Sequence, residues 1–247
     1  NRRRRFSIEV TELAIAGTVT LVMGSLSFAL LAPQVGIDDA NITQVYARNI
    51  ANGHGFVYNI GGERVEGSTS FLWTMITAAA FLIADRPESG LAVLGGLIAI
   101  STMLVSMRMA RLLFRESRLD PLWAPAIVGL IYVSSPTFFS WMIWSLMDIG
   151  LWVFLIALLA YSAIAIFDEE LRSKRHSPAL AAAFLSASAT IPLCRPEGIA
   201  VVVGAGMICF AAWLLVLKRP LPRTIVLGVA AGVASVAALT AFRMAYF

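Results

Sequence analysis

Long apolar runs separated by short polar segments dominate this chain. Each run approaches or exceeds the roughly 20 residues that a helix needs to cross about 30 Å of hydrocarbon. The runs cover approximately residues 8–32, 90–113, 122–140, 147–167, 179–193, 197–217 and 224–245. The pattern predicts an all-α polytopic transmembrane helix bundle of about seven spans, with residues 1–247 forming a single transmembrane domain.

One polar segment, within residues 33–84, interrupts this pattern after the first run. Inside it, residues 41–52 place apolar side chains such as Val45 and Tyr46 on one face, which predicts a short amphipathic helix. Residues 68–84 are apolar but short. If this stretch spans the membrane, the basic clusters that follow it lie outside the cytoplasm. If it is an interfacial or re-entrant helix, those clusters lie in the cytoplasm. We choose the second interpretation, because cytoplasmic segments carry an excess of Lys and Arg.

Composition supports a multi-pass membrane protein. Hydrophobic residues make up 59% of the chain and charged residues 14%, with a mean hydropathy of +0.80, whereas soluble domains carry roughly 25% charged residues. The net charge of +4 comes from basic clusters between apolar runs, which are orientation signals rather than a nucleic-acid-binding surface. We therefore predict membrane lipid as a partner, no nucleic acid, a cytoplasmic N-terminus and an extracytoplasmic polar segment.

The sequence excludes several cofactors. His54 and His176 are the two His residues, and both lie outside the apolar runs, which excludes axial ligation of haem or chlorophyll within the bilayer. Walker-type and GxGxxG loops are absent, so no bound nucleotide is predicted. Cys194 and Cys209 lie roughly 20 Å apart along helical structure, too far for a disulfide, and we interpret both as small buried apolar residues.

Asp38 and Asp39, directly after the first apolar run, are the clearest candidates for catalysis. Neighbouring carboxylates repel each other, so one keeps its proton above the usual pKa unless a cation joins them. This arrangement suits a general base, with a divalent cation such as Mg, Mn or Ca as an open alternative at the same two residues. The structural alternative makes Asp39 the N-cap of the helix over residues 41–52.

Further charged residues are expected on the same membrane face. In the polar segment they could bind a substrate or form surface ion pairs worth under about 1 kcal/mol. Arg195 and Glu197 form either a tight turn with a local ion pair or a phosphate site, and Asp148 suits either a helix cap or a site. The candidates for substrate binding are Arg48, His54, Glu63, Arg64, Glu66, Asp148, Arg195 and Glu197.

Four motifs, in order along the chain, resemble those of GT-C glycosyltransferases. The stretch DDANITQVYARNIANGHGFVYNIGGERVEGSTSFLW at residues 38–73 resembles their first extracytoplasmic loop, in the branch of arabinofuranosyltransferase-like proteins of the bacterial envelope. WSLMD at 144–148 resembles the family's S-G-M-E-T turn, and CRPEG at 194–198 resembles its R-P-E-G turn. RMAYF at 243–247 resembles the start of R-x-x-Y-F-G-x-x-x-P-N-T.

The resemblance implies inverting transfer of a sugar from a polyprenyl-phosphate donor to an envelope glycan, lipid or protein acceptor, outside the bacterial cytoplasmic (inner) membrane. Asp38 first, or Asp39, would be the base, and Arg195 and Arg64 would hold phosphate. Asp148 stands where the family has Glu, and Leu146 where it has Gly. Relatives continue past the position of Phe247 with further spans, so the alternative is a truncated, non-catalytic homologue that serves as a structural subunit among protein partners in a membrane complex.

Overall fold

The computed structural model describes residues 2–31, 36, 38–117, 122–173 and 177–247, and it describes only the backbone of residues 2–7, 31 and 38. Throughout these ranges the regular structure is helical, without a strand, which confirms the all-α prediction. The α-helices are α1 (Arg2–Leu31), α2 (Asp38–Ala51), α3 (Phe71–Phe81), α4 (Glu88–Leu113), α5 (Trp123–Val133), α6 (Pro136–Phe139), α7 (Ile149–Leu171), α8 (Pro178–Cys194), α9 (Gly198–Ala212) and α10 (Arg223–Tyr246). Two π-helical segments, Ser140–Trp144 and Trp213–Leu217, extend α6 and α9.

Five of the described helices are long and apolar enough to cross a membrane, so the protein is embedded in one. They are Ile8–Leu30 of α1, α4, α7, Gly198–Leu217 and α10. A sixth span results if the pair Trp123–Val133 and Pro136–Trp144, bent by 79°, counts as one. The bend lies just before Pro136, because proline lacks an N–H and disfavours helix in the residue that precedes it.

The prediction of about seven spans differs from these five by the bent pair and by α8. This helix has 17 residues, a length of about 26 Å that falls slightly short of the roughly 30 Å hydrocarbon layer. The short helix α3 has 11 residues, or about 16 Å, which favours the interfacial or re-entrant interpretation over a span.

The helices pack into two compact units. Unit 1 comprises Asn1–Ala40 and Glu88–Ala157, and unit 2 comprises Asn41–Pro87 and Leu158–Phe247. The expectation of one transmembrane domain stays a prediction, because these units describe internal packing alone.

A buried ion pair joins α1 and α4 in unit 1. Arg111 Nε lies 2.9 Å from Glu12 Oε1, and its Nη2 donates to Glu12 Oε2 at 3.1 Å. The Glu12 side chain is 1% exposed, so its charge requires a partner at this depth. Toward the other end of α4, Gly95 permits close packing within unit 1, since a Cβ there would collide with the carbonyl oxygen of Met142.

Unit 2 is built around α10, which packs on α8 and α9. A Cβ on Gly228 would collide with Phe184, and a Cβ on Gly232 would lie 3.0 Å from the carbonyl oxygen of Ser188. The GxxxG spacing of these two glycines therefore allows close helix packing within unit 2. Cys194 and Cys209 are both buried, as expected.

Candidate functional site

Two buried side chains of α2 fix the polar loop that follows it, which we call the first loop (residues 52–70). Asn49 donates both hydrogens of its amide, to the carbonyl oxygens of Val57 at 2.8 Å and Tyr58 at 3.0 Å. The Tyr46 hydroxyl donates to the carbonyl oxygen of Val65 at 2.5 Å. Burial raises the pKa of the Tyr46 phenol, and the Glu66 charge contributes in the same direction. Tyr46 is therefore a neutral donor at physiological pH.

Hydroxyl groups tie the end of the first loop to the start of α3. Ser70 is the N-cap of α3, and its Oγ accepts from the Trp73 N–H at 3.4 Å. Thr74 donates to the Ser70 carbonyl oxygen at 2.7 Å, and its hydroxyl lies 2.7 Å from that of Ser68. Because both ends of the first loop are fixed in this way, its middle can present charged side chains in defined positions.

The C-terminal end of α10 lies against the first loop. The Tyr246 hydroxyl accepts a hydrogen bond from the Phe56 N–H at 2.8 Å. The Arg243 Nε lies 2.6 Å from Glu66 Oε1. The guanidinium carbon of Arg64 lies over the Tyr246 ring, 4.6 Å from its centroid. Three independent contacts thus join residues separated by about 180 positions of sequence.

Aromatic rings fill the space under these polar contacts. The Phe56 ring lies 5.1 Å from that of Tyr46, 6.3 Å from that of Phe71 and 5.7 Å from that of Phe247, centroid to centroid. Phe242 continues the group, 5.6 Å from Phe71. We call these rings, together with Tyr246, the aromatic cluster. Offset and edge-to-face pairs at such distances contribute about 0.5–1.5 kcal/mol each beyond burial.

Three further predicted residues of α2 and the first loop are exposed: Arg48, His54 and Glu63. Arg48 lies over the Phe81 ring, 5.1 Å from its centroid, so it stacks on α3. His54 uses its backbone N–H to bond the Asn49 carbonyl oxygen at 2.9 Å, and its side chain, like that of Glu63, is exposed. The structure therefore brings Arg64 and Glu66 to the end of α10 and gives Arg48 a different aromatic neighbour.

Arg195 and Glu197 face each other across the turn between α8 and α9. Arg195 Nη1 lies 3.5 Å from Glu197 Oε1, and the Gly198 N–H donates to the Arg195 carbonyl oxygen at 2.9 Å. A Cβ on Gly198 would lie 2.6 Å from the Ile191 carbonyl oxygen, which explains the glycine. This is the tight turn with a local ion pair, one of the two alternatives that the sequence left open.

The two candidate catalytic residues lie at the start of α2. The helix begins at Asp38, before the predicted start at residue 41, so Asp39 lies inside the first turn. This position differs from the structural alternative for Asp39, in which it precedes the helix over residues 41–52 as its N-cap. Carboxylates in a first helical turn are stabilised by the helix dipole. The Asp39 side chain is exposed, and that of Asp38 lies outside the described side chains.

Asp148 is buried behind an unusual turn in unit 1. The π-helical segment Ser140–Trp144 ends there, and the Ser145 hydroxyl donates to the Trp141 carbonyl oxygen at 2.6 Å. Leu146 then has a φ of 56°, in the left-handed region that favours glycine. Asp148 itself is 5% exposed, and its carbonyl oxygen accepts from Trp152 in the first turn of α7. Backbone strain and π-helical turns are typical of functional sites.

Among the described side chains, no group of three or more His, Cys, Asp or Glu residues could hold a metal ion. The expected divalent cation at Asp38 and Asp39 involves one side chain that is not described, so it stays a prediction.

Three residues that contact the first loop were not among the candidates for binding: Arg243, Tyr246 and Phe247. A signal was present, because Arg243 lies outside the basic clusters and begins the RMAYF motif. Their role could not be read from spacing, since it depends on contacts across the whole of unit 2. No protein-family model, no curated protein and no solved structure matches this chain.

Proposed function

We propose that this chain is a membrane glycosyltransferase of the GT-C type. It would move a sugar from a polyprenyl-phosphate donor to an envelope glycan, lipid or protein acceptor on the extracytoplasmic face of the bacterial cytoplasmic membrane, with inversion. The observation that supports the proposal is the meeting of the first loop with the end of α10. These are the two most distant stretches that carry the family resemblance, and they share an ion pair, a hydrogen bond and a cation–π contact.

The charge balance of the first loop suits a departing phosphate. Glu66 is paired with Arg243, so its charge does not neutralise the neighbouring Arg64. In the described part of the chain, the contact that the structure gives for the exposed Arg64 side chain is the Tyr246 ring. A guanidinium on an aromatic ring keeps its N–H donors available for a phosphate oxygen.

The acceptor hydroxyl requires a base. In inverting transfer, one carboxylate in line with the anomeric carbon activates the attacking oxygen. Asp38 is the first candidate and Asp39 the second, and a positioned base contributes about 10²–10⁴-fold in rate. The donor phosphate leaves as a stable anion, so cations rather than a general acid assist its departure.

Co-purification tests the proposal directly. The protein is extracted into nanodiscs from its native membrane, and its lipids are identified by mass spectrometry. We expect a polyprenyl phosphate or its glycosylated form, reduced at least threefold by Arg64→Gln and unchanged by Arg86→Gln. Arg86 is a matched control, because it is also an exposed arginine of unit 2.

Transfer is then measured in proteoliposomes with a radiolabelled polyprenyl-phosphate sugar. Absence of any polyprenyl phosphate from the wild-type preparation would contradict the proposal. Retention of the lipid without turnover would instead favour the alternative, a non-catalytic subunit of a membrane complex.

A further inference from the structure

We infer that Tyr246 is a positioning residue for Arg64: its ring sets where the guanidinium lies, and its hydroxyl sets the path of the first loop. The inference deepens the proposed function. The effect of Tyr246 on ligand affinity rests on that proposal. It adds a residue of α10 that touches no substrate itself but determines how the first loop presents its cation to an anionic ligand.

The ring of Tyr246 takes the place of a carboxylate partner for Arg64. Two acids are near in sequence, Glu63 and Glu66, and an ion pair with either would consume the charge of Arg64. Glu66 is held by Arg243 at 2.6 Å, and Arg64 lies over the ring at 4.6 Å. A cation–π contact orients the guanidinium without neutralising it.

The hydroxyl of Tyr246 fixes the loop at a second point. It accepts the Phe56 N–H at 2.8 Å, and Gly55 beside it has a φ of +84°. A side chain on Gly55 would collide with the Tyr246 hydroxyl. One tyrosine therefore contacts the first loop at two places, near its start through the hydroxyl and near Arg64 through the ring.

Two variants of Tyr246 separate the role of its ring from that of its hydroxyl. Tyr246→Phe keeps the ring and removes the hydroxyl, whereas Tyr246→Leu removes both. Each is made in the wild type and in an Arg64→Gln background, which gives a double-mutant cycle. The probe is farnesyl phosphate, and its affinity is measured with the full chain in nanodiscs. Hydrogen exchange of the first loop is measured without ligand.

We expect Tyr246→Phe to bind farnesyl phosphate within about twofold of the wild type, because Arg64 stays on the ring. Tyr246→Leu should bind about three- to tenfold more weakly, and this loss should vanish in the Arg64→Gln background. Hydrogen exchange at the Phe56 amide should become faster in both variants, but exchange near residues 63–66 should become faster only in Tyr246→Leu. Should Tyr246→Leu not fold, Arg64→Lys replaces it: the charge stays, the planar group is lost, and the affinity should fall.

The outcomes separate this inference from the proposed function. Equal losses from Tyr246→Leu with and without Arg64 would overturn the inference, as would equal affinities for Arg64→Lys and the wild type. A wild type that does not bind farnesyl phosphate would count against the proposed function. Hydrogen exchange of the first loop then tests whether Tyr246 positions Arg64. Faster exchange at residues 63–66 in Tyr246→Leu than in Tyr246→Phe supports the positioning role of Tyr246, and equal exchange in the two variants overturns it.

Discussion

Arg243 in the last turn of α10 forms an ion pair with Glu66 of the first loop, with 2.6 Å between Nε and Oε1. Neither side chain is fully buried, at 24% and 32% exposure, although the Arg243 Nε itself is buried. Partial contact with solvent makes the pair a stabiliser of modest size. The C-terminus of α10 also favours a cation through the helix dipole. The pair thus connects the two regions of unit 2 that carry the candidate site.

Charge reversal tests this pair. Glu66→Arg alone should lower the free energy of unfolding by about 1 kcal/mol, because it replaces attraction with repulsion. The double variant Glu66→Arg with Arg243→Glu should recover most of that loss. Thermal unfolding in detergent micelles measures both. The (i, i+4) pair Arg172–Asp168 is a control whose reversal should have a smaller effect, and strictly additive effects at Glu66 and Arg243 would contradict the prediction.

The sequence predicts the helices well, but it does not reveal which of the candidate residues contact one another. Apolar runs fix the helices, since a membrane span must satisfy its backbone hydrogen bonds internally. Local patterns do not determine the left-handed φ of Leu146 or the placement of Tyr246 under Arg64. The placement of Tyr246 depends on packing between residues about 180 positions apart, so the aromatic partner of Arg64 could not be predicted from the sequence around it.

At Leu146, the glycine variant should be more stable than the alanine variant, the reverse of the usual order in a helix. At a φ of 56°, a Cβ costs about 1–2 kcal/mol, so Leu146→Gly should be more stable than Leu146→Ala by about 1 kcal/mol. At the buried Leu91 in α4, Leu91→Gly should instead be less stable than Leu91→Ala by about 1 kcal/mol. Thermal unfolding of the four variants measures the two differences, and the same order at both positions would refute the strain at Leu146.

Gly198 and Gly204, both on α9, should respond differently to alanine. A Cβ on Gly198 would lie 2.6 Å from the Ile191 carbonyl oxygen, whereas nothing lies within 4 Å of one on Gly204. Gly198→Ala should therefore destabilise by about 1–3 kcal/mol, and Gly204→Ala should stabilise slightly, by up to about 1 kcal/mol. Unfolding in one detergent gives both values. A neutral Gly198→Ala would show that the Arg195–Gly198 turn relaxes freely.

Tyr46 should make stability fall at alkaline pH. Burial raises the pKa of its phenol in the folded protein above the ordinary value of 10.0, so above about pH 10 the folded state binds more protons than the unfolded state. Its contribution is therefore present below pH 10 and lost as the pH rises further. Tyr46→Phe should be less stable than the wild type at pH 8, through the lost hydrogen bond to Val65, and this gap should narrow toward pH 11. Melting temperatures over that range measure the gap, and widening would contradict the direction of the pKa shift.

Asp38 and Asp39 should differ in what their loss does to sugar transfer. Asn preserves the shape of Asp but cannot accept a proton, so Asp38→Asn should reduce turnover by about 10²–10⁴-fold without changing the melting temperature. Asp39→Asn should reduce it less if Asp39 serves mainly the helix dipole.

Transfer of radiolabelled sugar in proteoliposomes measures both variants, and each melting temperature reports whether folding is intact. If the two carboxylates hold one divalent cation between them, both variants should lose turnover to the same extent. Added Mn or Mg should then change the transfer rate of the wild type. Dependence on Asp38 alone, without a metal effect, identifies it as the proton acceptor. Wild-type turnover by Asp38→Asn would remove Asp38 from the reaction and leave Asp39 as the candidate base.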